Sequence, residues 1–250
     1  MEETRYSGSL IDDYSQLRKA WPHRLEVYGR MSCHILSATQ RANNDTPKIL
    51  DAGCGDCEAL EILVRDFIFC YSDKKQHKID ALDFGPKMLA RAKQRMSEYN
   101  LSPPISYIEE DLTSFLEKTP DNTYDVVTSG WTIHNFSKEK RKKTVSEIQR
   151  VLTPYGRFVW MDKIFPDSYD DNAVRLLGAN FMRYLGTGII SSPHFKDFLT
   201  HEFNDIADGQ RLEEGEVRDL LRAAGFKSFR FDNNFYKNEH CFEKIFVATK

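Results

Sequence analysis

The chain holds 250 residues, 40% of them hydrophobic and 29% charged, at a formal net charge of −3 and a pI near 6.2. That length and apolar share suffice for one sizeable core, and the slightly acidic balance excludes a broad basic footprint for nucleic acid or an anionic membrane surface. No apolar window is long enough to span a bilayer and residues 1–10 lack the apolar core of a secretory leader, so a cytoplasmic protein without a membrane partner is expected.

Residues 1–46 read as helices interrupted at Pro22 and ending in a polar linker. Lys48, Ile49 and Leu50 then form a short buried strand closed by Asp51, which breaks into a turn carrying Gly53 and Gly55. From Glu58, the residues Leu60, Leu63, Val64 and Phe67 recur at helical spacing. A strand, tight turn and helix in this order make a small-molecule cradle at the carboxyl edge of a sheet. Such a connection can also bind nothing, so the features downstream decide.

Four more strands are predicted at 78–83, 105–109, 124–129 and 156–163, separated by amphipathic helices through Met88, Leu89, Ala92 and Met96 and through Val145, Ile148 and Leu152. This alternation signals a doubly wound, mostly parallel sheet. Residues 166–210 interrupt it with a helical insertion carrying Val174, Leu177, Phe181 and Tyr184 on one face, and Ser192-Pro193 opens a second helix. A last helix through Val217, Leu220, Leu221 and Ala224 stops at Gly225, and strands at 226–231 and 241–249 close the chain as an antiparallel hairpin. The predicted organisation is one domain over 1–250: a helical cap at 1–46, a ligand-binding core at 47–165, a helical lid at 166–210, and the helix and hairpin at 211–250.

Five cysteines, Cys33, Cys54, Cys57, Cys70 and Cys241, are an odd set in a chain that needs no disulfide staples. Cys54 and Cys57 form a C-x-x-C, yet no second pair completes a metal site, so none is expected. Redox chemistry is disfavoured as well, since both lie in the ligand loop.

Acids recur where strands end. Asp51 can orient the glycine loop or, through water, an ammonium group, and can equally cap the next helix. Asp83 is placed to accept two hydrogen bonds from ribose hydroxyls, with a cap before the Pro86 helix as the alternative. Asp111 can receive the exocyclic amine of adenine, and Ser129 and Gly130 leave room beneath a ligand.

DAGCG at 51–55, Asp83, Asp111, YDVVTSGWTIHNF at 124–136 and RVLTPYGRFVWMDK at 150–163 together resemble the motifs of class I S-adenosylmethionine-dependent methyltransferases. The resemblance spans about 48–163 plus the terminal hairpin. It implies a seven-stranded Rossmann-like sheet and methyl transfer from S-adenosyl-L-methionine, with S-adenosyl-L-homocysteine as product. It implies a cofactor site of Asp51, Gly53, Cys54, Gly55, Asp83, Phe84, Met88, Asp111, Leu112, Ser129 and Gly130. The chain departs from the family pattern at Pro154-Tyr155-Gly156, where a glycine pair is usual, and at Ser129-Gly130-Trp131-Thr132, where enzymes methylating bases or glutamine amides carry N/D-P-P-Y/F. Glu58, three residues after Gly55, would repel a pyrophosphate and argues against a nicotinamide dehydrogenase.

Methyl transfer needs a base only for an acceptor that arrives protonated. His134 after the fourth strand is the first candidate, with a merely packing histidine as the even alternative. Trp131 and Asn135 would wall the acceptor or belong to the core. His201, with Asp205 and Asp208 in the insertion, is the second candidate, although a histidine and acid one turn apart are often a solvated face. Tyr6, Tyr14, Trp21 and His23 would close over the site, with Tyr14 and Trp21 assigned to substrate. The run KEKRKK at 138–143 reads as a solvated helix face. The expected acceptor is an oxygen or nitrogen atom of a small molecule, taken by a monomer or homodimer. Rival readings are a tRNA wobble-uridine modifier or a modified-cofactor synthase on the same fold, and a catalytically silent cofactor-binding protein.

Overall fold

The computed structural model describes residues 24–42, 45–70, 77–99, 104–165, 167, 211–232 and 243–250. In chain order its elements are helix α1 (Arg24–Arg41), strand β1 (Lys48–Ala52), α2 (Glu58–Cys70), β2 (Lys78–Asp83), α3 (Pro86–Met96), β3 (Ser106–Glu109), α4 (Leu112–Lys118), β4 (Tyr124–Gly130), a 3-10 turn (Ile133–Asn135), α5 (Lys138–Val151), β5 (Leu152–Lys163), α6 (Glu214–Ala223), β6 (Ser228–Asp232) and β7 (Glu243–Thr249).

The strands hydrogen-bond in the order β3-β2-β1-β4-β5-β7-β6. β1 to β5 run parallel, and β7 is antiparallel to both β5 and β6. The expected doubly wound seven-stranded sheet with an antiparallel hairpin is therefore present. Because the central strands are covered on both faces, their residues are apolar in succession rather than alternately. Ile49, Val126 and Val159 enter one apolar layer with α1, α2 and α3, while Leu50, Val127 and Phe158 enter the other with α4, α5 and α6. Each fully buried side chain of this size contributes roughly 1.5–3 kcal/mol.

Pro86 starts α3 at a position that needs no backbone donor, and Met88, Leu89, Ala92 and Met96 form its buried stripe as predicted. β5 begins at Leu152 rather than at the expected 156, and an irregularity within it forms with one glycine: Tyr155 takes φ +68° while a Cβ on Gly156 would lie 2.8 Å from the Thr153 carbonyl oxygen. Gly156 thus answers a close approach, and Tyr155, its ring exposed, carries the left-handed conformation. Phe226 belongs to the core rather than to β6, which begins at Ser228 after Gly225 turns at φ +90°.

The chain that departs after Phe165 returns beside it: Phe165 N donates to Leu212 O at 2.9 Å and Glu214 N to Phe165 O at 2.9 Å. The predicted lid at 166–210 lies outside the described residues except for Asp167, as does the cap before Arg24. No described helix is long and apolar enough to cross a membrane.

Candidate active site

β2 lies on one side of β1 and β4 on the other, so the connections after β1 and β4 leave opposite sides of a switch point and open a crevice at the strands' carboxyl ends. The glycine turn fills one wall of it. Gly53 and Gly55 take φ +81° and +55°, and a Cβ on Gly53 would fall 2.3 Å from Thr132 Oγ1 in the loop after β4. Gly53 N and Cys54 N both donate to Leu82 O at 2.9 Å. The turn is therefore tied across to β2 and pressed by the opposite loop.

Asp83 completes the tie. Its Oδ2 accepts from Gly55 N at 2.9 Å and its Oδ1 from Gly85 N at 2.8 Å. A carboxylate offers about four lone-pair sites, so two backbone bonds leave capacity for hydroxyl donors. Asp51, 5% exposed at the tip of β1, is different: among the described residues none donates to its carboxylate. Burial, and then the neighbouring Asp83 charge, pushes the Asp51 carboxyl up to about 7. Burial also raises Asp83, opposed by its Gly85 and Gly55 bonds. Two such acids in one hollow make a site that gains from a cation.

The loop has a second brace that sequence reasoning missed. Arg95 of α3 donates to the Asp56 carbonyl and carboxylate, both at 2.9 Å, and to Glu61 at 2.7 Å. Phe84 is 45% exposed beside Asp83, while Met88 and Leu112 are buried below. Asp111 is already engaged: its Oδ1 caps α4 through Ser114 N at 3.0 Å and its Oδ2 pairs with Lys140 Nζ at 2.9 Å. Burial opposes its charge, yet these partners together hold its carboxyl below the usual range. Ser129 is fully buried with its hydroxyl donating to Ala52 O at 2.9 Å, which joins β4 to β1, and Gly130 is half-buried next to it.

The loop after β4 builds the other wall. Trp131 sits at φ +49° with its ring edge-on to Tyr28 of α1, centroids 5.2 Å apart. Asn135 Nδ2 closes the turn onto the Trp131 and Thr132 carbonyls at 3.3 Å each. His134 is buried, and its Nδ1 forms a short hydrogen bond with Asp162 Oδ1. Asp162, fully buried at the end of β5, also accepts from His134 N and Trp160 Nε1, both at 3.0 Å, and from Lys163 N at 3.1 Å. An acid inside the apolar run FVWMDK was the available signal for it, since a carboxylate is rarely buried without partners.

Arg141 corrects the reading of 138–143 as a solvated face. Lys138, Glu139, Lys142 and Lys143 are exposed, but Arg141 is fully buried, donating to His134 O at 2.7 Å and Glu216 Oε1 at 3.0 Å. The reason is helical spacing, which puts position 141 on the same side as Val145 and Ile148. Thus Asp51, Gly53, Cys54, Gly55 and Asp83 gather at the β1 and β2 tips, and Ser129 to Asn135 at the β4 tip. His201, Tyr14 and Trp21 lie outside the described residues, as do Tyr6, His23, Asp205 and Asp208.

Residues 49–156 match the family model described as a methyltransferase domain. The chain is 36% identical over 168 residues to the demethylmenaquinone methyltransferase of Symbiobacterium thermophilum, a match covering 67% of this chain and 62% of that protein. It is 26% identical over 207 residues to the malonyl-(acyl-carrier protein) O-methyltransferase of Paenibacillus sp. JDR-2, covering 76% and 68% respectively. An O-methyltransferase family protein from Burkholderia thailandensis shares the fold, with a TM-score of 0.64 at 14% identity over 100% of this chain and 63% of that one.

Proposed function

We propose that the chain, whose residues 49–156 match a methyltransferase-domain model, is a class I S-adenosylmethionine-dependent methyltransferase that transfers a methyl group to an oxygen or nitrogen atom of a small-molecule acceptor. The observation that carries this reading is the Asp51 and Asp83 pair around a glycine turn that Asp83 itself pins. The residues fit the cofactor: a carboxylate to which no described residue donates suits an ammonium group, and a carboxylate with spare lone pairs suits two ribose hydroxyls. Gly53 keeps the turn free of side chain where the two walls approach.

S-adenosylmethionine, when bound, supplies an electrophilic methyl on a sulfonium, and the intrinsic reactivity is the cofactor's. What the protein adds is alignment, for which effective molarities reach the order of 10⁵–10⁸ M. His134 is the group that would take the acceptor's proton. Asp162 accepts from Nδ1–H, which sets the tautomer and makes Nε2 the basic nitrogen. The two relatives are named for acting on demethylmenaquinone and on malonyl-(acyl-carrier protein), and the first name supports a small-molecule acceptor.

Calorimetry of the full chain with S-adenosylhomocysteine tests the reading. Wild type should bind, and Asp83→Ala should bind about 100-fold more weakly, from two charge-assisted hydrogen bonds lost and a loosened loop. Equal affinity of the two proteins would refute the assignment of Asp83.

A further inference from the structure

Cys57 of the C-x-x-C in the glycine turn has no part in methyl transfer, and the turn folds its backbone back onto that of Cys54. Cys57 N donates to Cys54 O at 2.9 Å, closing a four-residue turn, and the Cys54 thiol donates to Gly55 O at 3.6 Å within it. A turn of this kind holds its end Cα atoms within about 7 Å, which overlaps the roughly 4.4–6.8 Å span of a disulfide. Cys57 sits at φ +62°, a conformation unusual for a side chain, directly before α2. It is fully buried, whereas Cys54 is half-buried and packs against the apolar layer of α1, α2 and α3.

We propose that Cys54 and Cys57 form a reversible disulfide under peroxide and that this bond disables the cofactor loop, making the glycine turn a redox-sensitive site. The thiolate of the more accessible Cys54 attacks one peroxide oxygen, the O–O bond breaks, and Cys54 becomes a sulfenic acid as water leaves. The Cys57 thiolate then attacks that sulfur, the S–S bond forms, and the hydroxide released takes a proton to leave as a second water. Two thiols are oxidised and one peroxide is reduced to two waters. The neighbouring Cys57 thiol, then burial and the charges of Asp51 and Asp83, push the Cys54 thiol up, so thiolate is scarce and the first step is slow unless peroxide is in excess.

The functional consequence follows from what lies between the two cysteines. Gly55 donates to Asp83, and Asp56 is held by Arg95. A bond joining the flanking side chains would restrict that two-residue span to the narrow dihedral range a disulfide tolerates, and with it the Gly55 N–H that Asp83 holds. The affinity half of the proposal rests on the cofactor reading above, whereas formation of the bond does not.

The test uses the full chain, oxidised with hydrogen peroxide and then digested with trypsin without reduction. Cleavage after Lys48 and Arg65 yields the peptide 49–65, which contains Cys54 and Cys57 and no other cysteine. The expected result is that peptide lighter by two hydrogens, with S-adenosylhomocysteine affinity reduced at least about tenfold, and both changes reversed by a phosphine reductant. Cys57→Ser should yield no peptide lighter by two hydrogens under peroxide, and bound S-adenosylhomocysteine should retard the oxidation of wild type. Free thiols or sulfinic acids in that peptide after oxidation would overturn the proposal, as would a disulfide with undiminished affinity. Reduced protein that binds no S-adenosylhomocysteine would sink the cofactor reading, while the peptide mass would still decide whether the bond forms.

Discussion

The tips of β1 and β5 both bury an aspartate, and the two are treated in opposite ways. Asp162 is fully buried and receives four hydrogen bonds, from the His134 ring and backbone, the Trp160 indole and the Lys163 backbone. Asp51 is 5% exposed, receives none from the described residues, and faces a second acid. A buried carboxylate with every lone pair engaged is a scaffold, because its charge is already compensated. One held without donors keeps its desolvation penalty until something cationic arrives, which is the physical signature of a receptor.

The sharpest way to break this contrast is to neutralise each acid in turn. Asp162→Ala strands a buried histidine, an indole N–H and two backbone donors, and should lower stability by about 3 kcal/mol in urea unfolding. Its affinity for S-adenosylhomocysteine should stay within about threefold of wild type, since Asp162 braces the acceptor wall only. Unchanged stability would show that Asp162 is no keystone.

Asp51→Asn should do the reverse and stabilise the protein at pH 8 while weakening cofactor binding. The sign follows from proton binding: with a folded pKa of about 7 against an ordinary 3.8, the folded state holds a proton that the unfolded state has released between those values. This group's contribution therefore declines as pH rises across that window and is gone above about 7. Cofactor affinity should move the other way, rising up to about tenfold per pH unit below 7 as the carboxylate ionises. Thermal melts and titrations from pH 5 to 8 check both slopes, and a wild type whose slopes match those of Asp51→Asn would remove Asp51 from the receptor.

The smallest expected effect belongs to Arg95→Met. It removes the brace on Asp56 and Glu61 but leaves Asp83 on Gly55, so cofactor affinity should fall only about threefold to tenfold by calorimetry. A loss as large as that of Asp83→Ala would mean that the brace, rather than the acid pair, makes the site.

Legibility differed by residue. The β1-to-α2 unit could be read directly, since an apolar run, two glycines and a 3.6-residue apolar period each act within a few positions of themselves. Asp83 was readable from its place at a strand end. Asp111 was readable as a strand-end acid, but not as the partner of Lys140, which lies on another helix. Arg141 was hidden among five charged neighbours, and its burial shows only when the helix is set against Glu216 and the His134 carbonyl.

The amino-acid order by itself determined the strands of the sheet and the helices α2, α3, α5 and α6, that the central strands are covered on both faces, and that glycines and acids fall at the carboxyl edge. These are consequences of local sterics and of period, which need no distant partner. Only the tertiary structure decided which buried acid is satisfied and which is left wanting a cation. Hydrogen bonding and desolvation depend on groups brought from 28 residues away, as His134 is to Asp162, and such encounters leave no periodic trace in the chain.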